Sequence, residues 1–381
     1  MKIHGPLIFI LVLLVSHGLP GQAKVYTDAL KLTLEGKIFQ TEKPYVRTDP
    51  LEGMNKSEIG QAQNCSGLFV AFETNSSAIG VCVIWSGKAG GGSNMGAVAA
   101  RGFDLYIQRD GQWVWAGNAC PKKDAGGEEN EITLIPNSGK EAKQCLLYLP
   151  IYGRIESLDI VTDDGSWIKA GPHPFKKRIA VFGSSFTQGS GATRCAMTWE
   201  AQLSRATGLN FMNFGFSGNS KLQAYFAEAL AQANVDAYVF DAFSNPSPEE
   251  IEERLETFIR TIRQKQPRCP MIFLQTIYRE RCNFNPEWQE KETRKRETAD
   301  RLMREMTTRY PYVYWVTTTN ATSPATRHPP MEHIPTPTAT PSGWNRSKGP
   351  SLKFSTPVIC DNLRCNALLR DNAGAGKFVC G

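Results

Sequence analysis

From Lys24 to about Pro172 the apolar residues come in short runs, each closed by Gly, Asn, Ser or Asp. Gly67-Leu68-Phe69-Val70-Ala71-Phe72, Ala78-Ile79-Gly80-Val81-Cys82-Val83-Ile84-Trp85 and Phe103-Asp104-Leu105-Tyr106-Ile107 are three of them, and residues 145–150 and 155–160 give two more. Runs of this length between turn formers read as strands, and many in succession read as a β-sandwich. Ala170-Gly171-Pro172-His173-Pro174 reads as a linker. The period then changes. Short buried strands are expected at 179–182, 211–214, 237–240, 271–274 and 313–316, with helices between them at 199–206, 222–233, 248–264 and 287–309. Pro248 and the acidic residues behind it suit a helix start. This alternation predicts an α/β unit over residues 178–316, a parallel sheet wrapped on both faces, following a β-sandwich over 24–172.

The flanks are different. Residues 1–23 read as a secretory signal, with Lys2 as its charge, an apolar stretch from Leu7 to Val15 and Gly21-Gln22-Ala23 as small residues for cleavage. The stretch is too short to cross about 30 Å of hydrocarbon. The mature chain is therefore expected to begin near Lys24, to be secreted or periplasmic, and to have no membrane span once the signal is removed. Residues 317–381 lack a hydrophobic period over Asn320 to Pro350 and read as an irregular tail.

Composition narrows the class. Of 381 residues 41% are hydrophobic and 21% charged, as in a soluble globular protein, and the formal charge of +6 is spread out. No basic block with interleaved aromatics is present, so nucleic acid is not an expected partner. There are 10 cysteines, of which Cys65, Cys82, Cys120 and Cys145 are candidates for pairing in an exported chain. No Cys/His spacing suits zinc, and neither a metal nor a cofactor is expected.

The chemistry is concentrated at three predicted strand ends. Ile179–Phe182 runs into Gly183-Ser184-Ser185-Phe186-Thr187-Gln188-Gly189, a turn that can expose a serine hydroxyl as a nucleophile. The next strand ends in Phe216-Ser217-Gly218-Asn219, and the one after it in Asp241-Ala242-Phe243-Ser244-Asn245. The backbone N–H groups of Ser185 and Gly218 and the side-chain amide of Asn245 are suitable donors for a developing oxyanion. Singly, each has a structural explanation: capping serines, a turn glycine, a helix-capping asparagine. Together, at consecutive strand ends, they favour an acyl-transfer site. A nucleotide site is disfavoured because the Gly183–Gly189 turn lacks the lysine of a phosphate loop.

These blocks resemble the first three blocks of the SGNH (GDSL-like) hydrolases. Gly102-Phe103-Asp104-Leu105-Tyr106, with residues 147–152 and 155–158, resembles the GxDLY domain that precedes some of them. The resemblance implies a three-layer SGNH-type sheet, Ser185 as nucleophile, Gly218 and Asn245 completing the oxyanion hole, and hydrolysis of a glycan or other small-molecule ester without a cofactor. Ser184 departs from the family's common aspartate.

The same resemblance calls for a late D-x-x-H block to supply the base, followed by a closing helix, and this chain has no such block. Its five histidines are His4 and His17 in the signal, His173 in the linker, and His328 and His333 in the tail. Read from the last base of the Pro330 codon, the codons for residues 330–340 can encode Asp-Gly-Thr-His-Pro-Asn-Ala-Tyr-Gly-Tyr. Its glycine is forced, and the other matches need permitted third bases. A frameshift between about Thr317 and Thr326 accounts for both the missing block and the tail. The expectation is an exported esterase impaired in this chain. The alternative is a pseudo-hydrolase whose β domain binds glycan.

Overall fold

The computed structural model of the chain describes residues 23–88, 90 and 95–317. Among them, ten strands precede the linker: β1 (Lys24–Asp28), β2 (Thr33–Glu35), β3 (Phe69–Thr74), β4 (Ile79–Trp85), β5 (Phe103–Arg109), β6 (Gln112–Ala119), β7 (Glu129–Ile135), β8 (Lys143–Tyr148), β9 (Ile155–Asp163) and β10 (Ile168–Ala170). Two short helices, α1 (Lys56–Ala62) and α2 (Ala97–Arg101), lie between them. One sheet has the order β1-β9-β4-β7. The other runs β10-β3-β8-β5-β6, with β2 beside β3. All pairings in both sheets are antiparallel. Val70, Phe72, Val81, Val83, Phe103, Leu105, Leu147, Leu158 and Ile160 fill the space between the sheets. The sandwich expected from the short runs is present.

The middle strands of the second sheet, β3, β8 and β5, are buried on both faces over most of their length. Along β3, β5 and β8 the alternate residues Phe69, Ala71, Tyr106, Leu146 and Tyr148 pack on Phe175, Cys195, Ala196 and Ala201 of the following unit. A strand covered on both sides must be apolar on both sides, which is why residues 67–72 form an unbroken run. Asp104 is a fully buried polar member of that face. Its side chain is only 1% exposed, and its carboxylate accepts hydrogen bonds from Arg194 Nε at 3.1 Å and from the Ala196 N–H at 2.9 Å. Burial pushes the Asp104 carboxyl above the ordinary range, opposed by the Ala196 N–H and the Arg194 charge.

After the linker come β11 (Lys176–Gly183), α3 (Ser185–Gln188), α4 (Trp199–Thr207), β12 (Leu209–Gly215), α5 (Ala224–Ala231), β13 (Ala237–Asp241), α6 (Pro248–Lys265), β14 (Met271–Leu274), α7 (Pro286–Arg309) and β15 (Val313–Val316). The strands form one parallel sheet in the order β12-β11-β13-β14-β15. The chain leaves β11 in one direction to β12 and returns past it to β13. A crevice therefore opens at the carboxyl end of β11, where ligands bind in open sheets of this kind. Local signals set the helix starts. Ser247 and Glu250 form a capping box that spans Pro248 at the start of α6, and Asn285 caps α7 ahead of Pro286. On one side of the sheet Phe182, Phe214, Phe226, Phe240, Phe258 and Met303 form a core that also takes in Ile38, Met54 and Ala62 from the N-terminal part. The chain before the linker thus packs into the α/β core as well as against its end.

All seven described cysteines are free thiols, so the pairing expected among Cys65, Cys82, Cys120 and Cys145 is not found. Cys65 and Cys145 are packed in the sandwich core as small apolar groups. Cys82 alternates with the core residues Val81 and Val83 and so faces away from them, between Glu131 and Asp159. Among the described residues no helix is long and apolar enough to cross a membrane.

The Asp104 contact yields the first prediction. Asp104→Ala leaves a buried backbone N–H and a guanidinium without their acceptor and should cost about 3 kcal/mol of stability. Asp104→Asn keeps one carbonyl acceptor and should cost less. Urea unfolding of the two variants beside the parent checks this, and coincident midpoints would show that the contact carries no stability.

Candidate active site

Gly183 lies abreast of Gly215 on one neighbouring strand and of Asp241 on the other. The three predicted segments therefore leave the sheet together. Ser185 is the first residue of α3, and its residue is partly exposed. No described residue hydrogen-bonds its hydroxyl. Ser184, the N-cap, accepts from the Phe186 N–H at 3.2 Å. Gly189 ends the single turn with φ 109°, a left-handed conformation that suits glycine.

The turn is fixed by a residue that sequence reasoning did not single out. Asp241, the last residue of β13, accepts from the Ser184 N–H at 3.1 Å, the Ser184 hydroxyl at 2.5 Å, the Thr187 hydroxyl at 3.1 Å and the Ser244 hydroxyl at 3.0 Å. Burial raises its carboxyl above the usual range and these donors pull it back. Gln188 was missed in the same way. Its side-chain oxygen accepts from both the N–H (2.9 Å) and the hydroxyl (2.6 Å) of Ser217, which couples α3 to the turn after β12. The only signals available were Asp241 at the edge of an apolar run and Gln188 inside the glycine-bracketed turn.

Gly218 stands in that turn with φ +73° and open space where a side chain would start. Its N–H has no partner among the described residues and is free to donate. Asn245 differs from expectation. Its amide donates to the Phe216 carbonyl at 3.3 Å and to Ser220 Oγ at 3.0 Å, so it ties the β13 loop to the β12 turn. It does not cap α6, a place that Ser247 takes. Gly218 and Asn245 share a cavity of about 370 Å³ with Arg279, Trp288, Lys291 and Lys295. The Arg279 guanidinium reaches from there to 5.6 Å from the centre of the Phe186 ring, beside Ser185.

Beneath the turns lies a buried polar cluster. Arg47, from the N-terminal part, donates to Asn213 Oδ1 at 3.0 Å and to the carbonyls of Gly215 and Gln61 at 2.9 and 2.8 Å. Asn213 donates in turn to the Thr187 carbonyl and to Glu200 Oε1, the latter at 3.1 Å. Glu200 Oε2 is buried with no hydrogen-bond partner. Burial lifts the Glu200 carboxyl well above its ordinary range, and the Asp241 charge adds to the effect. His173, by contrast, sits on Glu35 Oε1 at 2.6 Å and is exposed at the linker. His328 and His333 lie outside the described residues. Among the described residues no group of three or more His, Cys, Asp or Glu is placed to hold a metal ion.

Residues 176–323 match the family model described as the GDSL-like lipase/acylhydrolase family, and residues 24–168 match the model of the N-terminus of SGNH-hydrolase-type esterases. Among solved structures, a Bacteroides ovatus protein described as a GDSL-like lipase is 38% identical, with a TM-score of 0.74 over 77% of this chain and 87% of its own. The salicylyl-acyltransferase SsfX3 of a tetracycline biosynthetic pathway shares the fold at 20% identity, with a TM-score of 0.56 over 78% of this chain and 85% of that one. A family two carbohydrate esterase from Cellvibrio japonicus shares it at 12% identity and a TM-score of 0.51, over 78% and 89%. No curated protein matches the chain.

Glu200 gives a prediction about pH. Its folded-state pKa is raised, so the native state keeps a proton that the unfolded chain releases near pH 4.5. The stability linked to that proton is full below pH 4.5 and is lost as pH rises through the folded value. Glu200→Gln mimics the protonated form and should match the parent at low pH, then become progressively more stable than it as pH rises above 4.5. Unfolding free energies measured across a pH series test this, and a constant difference between the two proteins would refute it.

Proposed function

The chain belongs to the GDSL-like lipase/acylhydrolase family, and we propose that it is an exported SGNH-type serine esterase acting on acyl esters of carbohydrates or other small alcohols. In this reading Ser185 Oγ attacks the ester carbonyl carbon and the carbonyl electron pair moves onto oxygen. The alcohol leaves with a proton as the acyl-serine forms, and water then releases the acid. The N–H groups of Ser185 and Gly218 hold the oxyanion, joined by the Asn245 amide when it gives up Ser220 or Phe216. The observation that carries the reading is the register of Gly183, Gly215 and Asp241. It brings the serine turn, the free Gly218 N–H and the Asp241 acceptor to one end of the sheet. Export rests on the signal-like residues 1–23.

Attack requires a base for the Ser185 proton, and no described residue offers one. We read this chain as impaired in turnover for that reason. The second sheet face supports a displaced C-terminal block. That face is formed by Ile179, Val181, Phe211, Val239 and Ile272, and among the described residues α4 is the helix that joins it through Trp199 and Leu203. Leu274, Tyr314 and Val316 on the same layer are only half-buried. A parallel sheet needs both faces covered, and a helix after a restored Asp-Gly-Thr-His-Pro run would suit that strip.

The test is an ester panel, with 4-nitrophenyl acetate and acetylated xylose and glucose, run on this chain beside a version with the reading frame restored. The restored protein should turn over faster by a factor on the order of a million, the scale of losing a triad member in subtilisin. Ser185→Ala in that protein should abolish both turnover and labelling by a serine-reactive phosphonate. A folded, frame-restored protein that neither hydrolyses nor labels would favour the glycan-binding alternative.

A further inference from the structure

One wall of the cavity beside Gly218 and Asn245 is a face of α7. Trp288, Lys291, Glu292 and Lys295 recur at intervals of three and four residues, so they project to one side of the helix. The cavity holds more positive than negative charge: Lys221, Arg279, Lys291 and Lys295 against Glu250 and Glu292. Each carboxylate is already shared. Glu250 lies 3.8 Å from Lys221 and 3.1 Å from Arg254, and Glu292 lies 3.2 Å from Arg279 and 3.0 Å from Lys295. Lys291 is exposed and has no carboxylate partner among the described residues.

The buried Lys295 and the half-buried Arg279 are held with donors to spare. Lys295 is 4% exposed and donates to the Ser244 carbonyl at 3.1 Å and to Glu292 at 3.0 Å, which leaves one of its three N–H groups unused. Arg279 Nε and Glu292 Oε2 are close enough for ion pairing yet lack hydrogen-bond alignment, so both keep unmet hydrogen-bonding capacity in a buried place. Arg279 is further anchored by the Ser244 carbonyl at 3.2 Å and by the Phe186 ring. With Nε facing Glu292 and Nη2 on the Ser244 carbonyl, the Arg279 Nη1 donors have no partner among the described residues and can take a carboxylate oxygen.

The geometry points to a ligand that carries its own carboxylate: an anionic ester whose acid group lies against Arg279 and Lys291 while its carbonyl faces Gly218 and Asn245. This rests on the reading of the site as an ester site, and it names the substrate class. A single negative charge fits better than a phosphate dianion, because Glu250 and Glu292 line the same cavity and oppose the second charge. The half-buried Trp288 ring adds an apolar surface beside the cations. The acid could belong to the sugar, as in an acylated uronate, or to the acyl group, as in a dicarboxylate half-ester.

Titration of this chain with galacturonate, monomethyl succinate and galactose, followed by saturation-transfer NMR, separates these cases. At low ionic strength at least one of the two acids should bind about tenfold more tightly than galactose, and Lys291→Glu should remove about that factor. Added salt should weaken the acids and leave galactose unchanged. Which acid is preferred tells which side of the ester bears the charge. Lys291 is exposed, so its variant tests the pocket without disturbing the core, and Arg279→Gln provides a second test. Equal binding of the acids and galactose overturns the inference, as does acid binding that survives both substitutions. Selective acid binding in a frame-restored protein that hydrolyses nothing would remove the esterase reading and leave the ligand class standing. Hydrolysis without preference for acidic esters would do the reverse.

Discussion

A carboxylate withdrawn from water must be surrounded by N–H and O–H donors, and the arrangement of the turns at the carboxyl end of this protein's parallel sheet follows from meeting that requirement three times. Asp241 meets it with Ser184, Thr187 and Ser244, and so fixes the turn that carries Ser185. Asp104 meets it with Arg194 and Ala196, and so fixes the segment between α3 and α4 from outside the α/β unit. Glu200 meets it only in part, through Asn213, and one of its oxygens stays unpaired. Removing a partner from a buried charge costs more than the pair contributes when intact. These contacts therefore act as constraints on position more than as sources of net stability.

The same logic explains why the two halves of the chain are not independent. Tyr106 and Tyr148 on the outer face of the second sheet lie under the Arg205 guanidinium, 4.3 and 5.2 Å from their ring centres. In the Gly102–Tyr106 motif the residues divide by face. Phe103 and Leu105 point into the sandwich, while Asp104 and Tyr106 point at the hydrolase unit. Gly102 is needed because a Cβ there would lie 2.2 Å from the Val98 carbonyl oxygen. The motif is an interface written along one strand. Arg47 works the same way from another loop, reaching under the turns at the strand ends to Asn213 and Gly215.

Much of this could be read in the sequence, for a physical reason. Strands 237–241 and 271–274 are buried along nearly their whole length, and 313–316 is equally apolar although only Val313 is fully buried, so these runs stand out whatever surrounds them. Helix α6 carries its cap, its proline and its charges locally. Harder to see were β6, whose part-buried and exposed positions follow no clear alternation, β7, whose buried positions include the polar Asn130, and α1, whose short length leaves little periodicity. Helix α7 was visible as a helix, but its use was hidden. Its buried stripe is polar at one end, Glu292 and Lys295, and apolar at the other, Ala299, Met303 and Met306. A charged residue in a charged helix gives no sign of facing inward. The placement of Ser185, Gly218 and Asn245 just beyond three strand ends was legible because Gly, Ser and Asn punctuate the ends of apolar runs. Asp241 and Gln188 were not, since their roles come from contacts to other turns.

Ser184 is the residue where this chain departs from the family's common aspartate, and the structure gives the departure a reason. Its hydroxyl sits 2.5 Å from Asp241 Oδ2 while accepting from the Phe186 N–H. An aspartate at 184 would set a second carboxylate against Asp241 in a buried site. Like charges at that distance cannot both stay ionised, so one would take up a proton and the acceptor pattern that holds the turn would change. A hydroxyl can donate to Asp241 and cap the helix at once, whereas an ionised carboxylate can only accept. Positions 184 and 241 therefore act as a pair: one hydroxyl and one carboxylate, with the carboxylate on β13 instead of in the turn. In this chain the charge that holds the Ser185 turn is that of Asp241.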